Sequence, residues 1–273
     1  MSTVTDAKLT AHQAAREANP VIESAGRVGY AAKGVLYGLM GALAFLAATG
    51  NGGKTTDKRG VINTIADQPF GSALLIILGV CLAGYALFKI VMAVMNSEYD
   101  KPLKRVGNGV TGLIYGGFAF LAFKAAMGDK KADNSEQKAA DVMSMPGGIW
   151  IIAALGLIIL GVGVMQIVKG GSGKFMDILK KEEMSEDEQR TALISGRIGL
   201  ISRGIVFVIT GGFLLWAAKD HDPNKAGGLD QALQAIASAP YGPLLLAMTG
   251  LGLVAFCLFM FVEAKYRKFA PIR

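Results

Sequence analysis

Apolar residues occur along this chain in six long runs, separated by short polar segments. Each run has about 20 residues, the length that an α-helix needs to cross the roughly 30 Å hydrocarbon core of a bilayer. The runs cover about 28–49, 70–95, 106–127, 148–168, 198–218 and 241–262. Helices of a soluble core are shorter and carry a polar face. The pattern therefore predicts an all-α membrane protein with six transmembrane helices.

Two sequence motifs alternate along these runs. The first opens as Arg27-Val28-Gly29 with Lys33-Gly34 and Tyr37-Gly38 after it, and it returns as Arg105-Val106-Gly107 with Thr111-Gly112 and Tyr115-Gly116, and as Arg197-Ile198-Gly199 with Arg203-Gly204 and Phe207. The second motif reads Pro69-Phe70-Gly71, Pro146-Gly147-Gly148 and Pro240-Tyr241-Gly242. Motifs that return in a fixed order indicate a repeat architecture. We therefore expect three repeated helical hairpins with pseudo-threefold symmetry.

The repeats divide the chain into five segments. They are an N-terminal cytoplasmic segment (1–25), the first repeat (26–100), the second repeat (101–170), an amphipathic cytoplasmic linker (171–195), and the third repeat with a basic C-terminal tail (196–273). The hairpins contain apolar residues at helical spacing, which predicts short amphipathic helices at the membrane surface. Linker residues Lys174–Glu183 predict another surface helix, and Ser185 with Glu188 predicts a capping box. The motif prolines suit the first turn of the following span.

The tripled motifs resemble a bacterial membrane family known only as domain of unknown function 1206. The resemblance covers about 26–270 and implies two transmembrane helices in each of three repeats. It implies no activity, substrate or catalytic residue. The second repeat departs from the pattern, because Thr111 replaces the basic residue and Gly147 replaces the aromatic residue after proline. Any site on the pseudo-threefold axis is therefore expected to be asymmetric.

Basic residues predict how the chain is oriented. With six spans both termini lie on one side, and that side carries sixteen Lys and Arg residues against eight on the other. The positive-inside rule then places both termini in the cytoplasm, in a bacterial inner membrane. The net charge of +7 suits a basic face against anionic lipid, and nucleic acid is not needed to explain it.

Glycines within the spans predict how the helices pack. Gly34 and Gly112 follow the basic or threonine position of the first motif, and Gly79, Gly156 and Gly250 share one position in the second helices. Small residues allow close helix contact in lipid, where hydrophobic burial does not drive association. We expect these contacts within one chain, which predicts a monomer or a weak homo-oligomer.

Residues with catalytic or metal-binding chemistry are few. His12 and His221 have no second ligand at metal spacing, and Cys81 and Cys257 occupy non-equivalent positions within spans. No acid–base pair or nucleophile arrangement is evident. The sequence therefore predicts neither a cofactor nor an enzyme.

Charged residues within the spans form the candidate site. Lys33 and Arg203 are repeat equivalents that lie six residues into their helices, about 9 Å below the boundary. The candidate residues for a ligand or anionic lipid are Lys33, Arg203, Lys89, Tyr37, Tyr115, Thr111 and Gln166. Two interpretations remain open at this point: the cations reach back to the interface, or they line a basic vestibule. Glu263 lies at the same level and could neutralise one of them.

Two functions follow from these patterns. The first is a non-catalytic polytopic protein whose basic cytoplasmic side engages anionic membrane lipid or a partner membrane protein. The second is a channel or transporter for a small ion, with Lys33, Arg203 and Lys89 at its inner mouth.

Overall fold

The computed structural model describes residues 2–50, 58–94, 102–129, 135–226 and 228–268. Nine α-helices occupy these ranges: α1 (Ser2–Ala48), α2 (Lys58–Ala66), α3 (Gly71–Val94), α4 (Pro102–Ala126), α5 (Ser135–Met143), α6 (Gly148–Ser172), α7 (Glu186–Asp220), α8 (Leu229–Ser238) and α9 (Gly242–Tyr266). Six of them, α1, α3, α4, α6, α7 and α9, are long and apolar enough to cross a membrane. The predicted all-α fold of six spans in three hairpins is confirmed.

The six spans pack side by side in one continuous order whose two ends, α4 and α6, have no substantial interface with each other; we call this arrangement the ring. Neighbours around the ring are α4, α3, α1, α9, α7 and α6. The most extensive interfaces join the second span of one repeat to the first span of the next, namely α3–α4, α6–α7 and α9–α1. Within the first and third repeats the two spans also pack together, whereas α4 and α6 of the second repeat have no substantial interface in the part of the chain that the structure describes.

Equivalent small residues build the three interfaces between repeats. A Cβ on the first-helix glycine would lie 3.2 Å from the carbonyl oxygen of Cys257 for Gly34, 3.0 Å from that of Ala86 for Gly112, and 2.8 Å from that of Gly163 for Gly204. The predicted packing of Gly34 and Gly112 within the chain is thus confirmed. Close backbone approach at one repeated position gives the ring its pseudo-threefold character.

A tight turn leads from each short helix into the following span. The N–H of Gly71, Gly148 or Gly242 donates to the carbonyl oxygen three residues earlier. The proline is the second turn residue, and the third has a positive φ of 60° in Phe70, 75° in Gly147 and 60° in Tyr241. The prediction that the prolines lie in the first helical turn is wrong, because each span begins two residues later. A turn of this kind favours glycine at its third position, which explains Gly147.

The linker between α6 and α7 closes one end of the ring. We call this the terminal end, and the opposite end, which carries α2, α5 and α8, the hairpin end. The predicted surface helix over Lys174–Glu183 is wrong, because the segment forms two short 3-10 turns. Its apolar side chains are buried in the main core instead of lying along one helical face: Phe175, Met176, Leu179 and Met184. The capping box of Ser185 and Glu188 is confirmed.

Candidate functional site

Arg203 turns into the interior of the ring. It lies midway along α7, and its Nε donates a 2.8 Å hydrogen bond to the Tyr37 hydroxyl of α1. The guanidinium carbon is 4.9 Å from the Tyr37 ring centroid, 4.7 Å from that of Phe207 and 5.0 Å from that of Phe256. A cation over aromatic faces is attracted by their negative charge density. Arg203 therefore does not reach back to the interface, which was one of the two interpretations left open.

Lys33 lies one helical turn from Tyr37 on the same helix. Its Nζ is 5.4 Å from the Phe256 ring centroid, so the two repeat-equivalent cations, Lys33 and Arg203, share one aromatic neighbour. Both side chains keep part of their surface accessible, although the spans surround them.

A third cation, Lys58, approaches Arg203 and Tyr37 from the hairpin end. It is the first residue of α2 and is only 8% exposed. Its Nζ lies 4.8 Å from the Tyr37 ring centroid, 5.1 Å from that of Tyr115 and 5.0 Å from that of Phe118. Tyr37 is eleven residues before the end of α1, about 16 Å along the helix. Val61 and Ile62 of α2 are 0% and 2% exposed in the main core, so the start of α2 packs into the bundle.

Sequence reasoning missed Lys58 and counted it among the basic residues of the hairpins. A partial signal exists, because Lys58, Ser135 and Leu229 each stand eleven residues before a motif proline, and each begins a short helix. The apolar Leu229 at this position indicates a buried location. Nothing in the sequence indicates that Lys58 meets Lys33 and Arg203.

We call Lys33, Lys58 and Arg203 the cation cluster. None of the three forms an ion pair with an acidic side chain among the described residues. Glu263, the nearest candidate from the sequence, instead pairs with Arg267 at 2.6 Å. Tyr115, which is 4% exposed, has a hydroxyl without a hydrogen-bond partner in the described ranges of the chain. The cluster thus combines buried positive charge with an unused donor.

The other predicted site residues lie elsewhere. Lys89 donates a 3.3 Å hydrogen bond to Asn108 Oδ1, and its Nζ is 5.1 Å from the Phe88 ring centroid. Thr111 donates to the carbonyl oxygen of Gly107 in its own helix. Gln166 is buried on α6, and neither its amide nitrogen nor its amide oxygen has a hydrogen-bond partner among the described residues. The structure therefore joins Lys33, Tyr37, Tyr115 and Arg203, and leaves Lys89, Thr111 and Gln166 outside the cluster.

Comparison with known proteins agrees with the geometry of the repeats. The profile of the Domain of Unknown Function (DUF1206) family matches three times, at residues 28–96, 106–173 and 198–267. The chain belongs to this family. It is also similar to an uncharacterized protein of Bacillus subtilis (strain 168), with 31% identity over 258 residues that cover 92% of this chain and 94% of the relative. No solved structure matches the chain. Family membership supports the fold and the bacterial origin.

Many basic residues at the terminal end have acidic neighbours. The pairs are Arg27 with Glu23, Lys180 with Glu183, Lys181 with Asp177, Lys265 with Glu188, Arg267 with Glu263 and Lys268 with Glu182. A hydrogen bond from its own backbone, and then the Lys268 ammonium, lower the pKa of Glu182. Lys169 and Arg197 are exposed and have no such partner among the described residues.

Proposed function

We propose that this membrane protein binds an anionic group at the cation cluster and has no catalytic activity. The supporting observation is that Lys58 and Arg203 share the Tyr37 ring while Lys33 and Arg203 share the Phe256 ring, with no ion pair to an acidic side chain among the described residues. Charges within a membrane-spanning bundle are costly unless they are paired or hydrogen-bonded. An anion would compensate these charges, with which no carboxylate of the described residues forms an ion pair.

The residues suit an oxyanion such as a phosphate or carboxylate group. Arg203 presents a planar guanidinium that can hold two oxygens at once, whereas Lys33 and Lys58 act as point charges. The Tyr115 hydroxyl adds a neutral donor with no other partner. This combination gives both charge and directional hydrogen bonds.

Binding of anionic lipid to the whole basic surface receives less support. Acidic side chains neutralise much of the terminal end, and exposed ion pairs of this kind contribute little free energy. Lys169 and Arg197 remain as exposed cations that can attract anionic headgroups without a defined site.

Passage of a small anion is a second candidate. The spans contribute Lys33 and Arg203 to the cluster, and a helix of the hairpin end contributes Lys58. Transport predicts that proteoliposomes move a permeant anion such as chloride faster than empty vesicles do. Lys58→Gln should then abolish the flux.

A binding experiment tests the primary proposal. Purified protein in a nonionic detergent is titrated with inorganic phosphate and with dioctanoyl phosphatidic acid. Lys33→Gln/Arg203→Gln should weaken the tighter probe about 100-fold, because a hydrogen bond to a charged group contributes about 1.5–3 kcal/mol. The matched control Lys169→Gln/Arg197→Gln removes the same charges from the surface and should change affinity less than twofold. Absence of binding for both probes, or equal losses in both variants, would refute the proposal.

We further propose that both termini face the cytoplasm of a bacterial cell. The loop charges support this orientation. Reporter fusions after Asn51, Asn134 and Asn224 should be external, and fusions after Asp100 and Ser185 internal. Two adjacent fusions on the same side would contradict the six-span topology.

A further inference from the structure

The spans α4 and α6 stand at the two ends of the packing order and have no substantial interface with each other among the described residues. Every other neighbouring pair in the ring packs together. The most apolar windows of α4 and α6 are each only 22% buried, whereas those of the other four spans are 39–44% buried. Both helices therefore leave an apolar side without a protein neighbour within the described part of the chain.

The unpacked sides of α4 and α6 carry apolar residues. Gly112 packs α4 against α3, and Gly156 packs α6 against α7. Ile114 and Ile158 each follow two residues later, which is about 200° around an α-helix. They are 50% and 63% exposed, on the faces opposite the existing interfaces. Each helix thus presents apolar side chains on the side that faces away from its packed neighbour.

Protein covers both ends of the ring near the cluster. At the terminal end, Phe175 of the linker packs its ring 5.0 Å from that of Phe259, and Leu179 is fully buried. At the hairpin end, Val61 of α2 and Leu233 of α8 are also fully buried. Lys33 and Arg203 nevertheless retain accessible surface within the spans. The two cations thus remain accessible although both ends are covered. A ligand that enters from the side of the bundle explains this better than a ligand that enters from either end.

We propose that the cation cluster receives its ligand from the bilayer, by passage between α4 and α6. The ligand class is an amphiphilic anion, with a phosphate or carboxylate head on one or more acyl chains. The head contacts Lys33, Arg203 and the Tyr115 hydroxyl, and the chains remain between Ile114 and Ile158 in contact with lipid. This inference rests on the proposed anion binding and adds the source and chemistry of the ligand.

Elementary energetics support such a ligand. A free inorganic anion has to shed its water before it passes between apolar helix faces, and this desolvation is expensive. Acyl chains add roughly 0.8 kcal/mol for each CH2 group that remains buried. A chain-bearing anion therefore keeps its favourable hydrocarbon environment while its head exchanges water for the cluster.

The test uses the full chain in detergent with dioctanoyl phosphatidic acid and inorganic phosphate as probes. Ile114→Trp/Ile158→Trp places bulky rings on the unpacked sides of α4 and α6. The matched control Leu113→Trp/Leu157→Trp changes the preceding residues, which are 73% and 65% exposed and lie about 100° from Ile114 and Ile158 around each helix. We expect the first pair to weaken binding of phosphatidic acid at least tenfold and the control to change it less than twofold. Thermal unfolding of each variant verifies folding, and the single variants replace any pair that does not fold.

The outcomes separate the two proposals. If phosphate alone binds as tightly as phosphatidic acid and Lys33→Gln/Arg203→Gln abolishes both, anion binding stands and lateral access is overturned. Equal effects of the two tryptophan pairs overturn lateral access as well. If neither probe binds the unmodified protein, the proposed function fails and this inference fails with it.

Discussion

The second repeat differs from the first and third in one decisive contact. In the first repeat Gly29 of α1 packs against Tyr85 of α3, and a Cβ at Gly29 would overlap that side chain. In the third repeat the equivalent Gly199 of α7 packs against Phe256 of α9, and a Cβ at Gly199 would lie 2.5 Å from the Phe256 Cα. Gly107, the equivalent glycine of the second repeat, has open space around it.

The aromatic partner explains this difference. Tyr85 and Phe256 correspond to Val162 in the second repeat, because all three stand four residues before the equivalent positions Lys89, Met260 and Gln166. Tyr85 and Phe256 are 2% and 1% exposed and fill the space between the two spans of their repeats. Valine has no ring to fill that space. A motif shared by all repeats therefore gives a closed helix pair only where the second span supplies an aromatic residue.

Adding a side chain at the equivalent glycines should give the largest difference in stability between the repeats. Gly199→Leu should destabilise the protein by about 3 kcal/mol or prevent folding, because the new atoms meet the Phe256 backbone. Gly107→Leu should change stability by less than about 0.5 kcal/mol, as surface substitutions usually do. Unfolding midpoints in detergent measure both. Similar losses at the two positions would mean that the second repeat closes in solution.

Exchanging the aromatic partners should have the next largest effect. Tyr85→Val removes a buried ring and should cost about 2–4 kcal/mol, near the range for large-to-small changes in cores. Val162→Tyr should be tolerated, because its interface is open. If Val162→Tyr destabilises as much as Tyr85→Val, the space at the second repeat is already filled. Thermal unfolding again provides the measurement.

The start of each short helix offers a third comparison. Lys58→Leu introduces the residue that Leu229 places at the equivalent position, and should leave stability unchanged or raise it by about 1–2 kcal/mol, since a buried charge is removed. It should also weaken anion binding. The reverse change, Leu229→Lys, places a charge at a half-buried position without the aromatic cage of Tyr37 and Tyr115 and should destabilise the protein. Unfolding midpoints in detergent measure both changes, and a large loss of stability in Lys58→Leu would show that the lysine is structural.

The turns before the second spans should give the smallest effect. Gly147→Tyr places a side chain at a φ of 75° and should cost about 1 kcal/mol. Phe70→Gly should relieve a similar strain at a φ of 60°. Chemical or thermal unfolding in detergent measures both changes, which should have opposite signs in the free energy of unfolding. Changes of the same sign would show that packing, and not the φ angle, determines which residue is favoured at these positions.

Predictions from the sequence were confirmed where they rested on the length of apolar runs or on repeated motifs. Six runs of about 20 apolar residues give six spans, since hydrocarbon thickness sets helix length. The glycines at positions 34 and 112 indicate close packing because few other residues permit it. The linker at 174–183 was predicted incorrectly, because amphipathic spacing suits a surface helix and a buried 3-10 segment equally well.

By itself, the sequence determined the class of the protein, its three repeats and the presence of cations within the spans. Only the tertiary structure decided that the two spans of the second repeat do not pack together, that Lys58 and Arg203 share the Tyr37 ring, and that Lys33 lies beside Arg203 at Phe256. The physical reason is that helix periodicity and hydropathy are local properties of the chain. Contact between Lys58 and Tyr37 depends instead on how deeply α2 enters the bundle, which is fixed by packing among all three repeats.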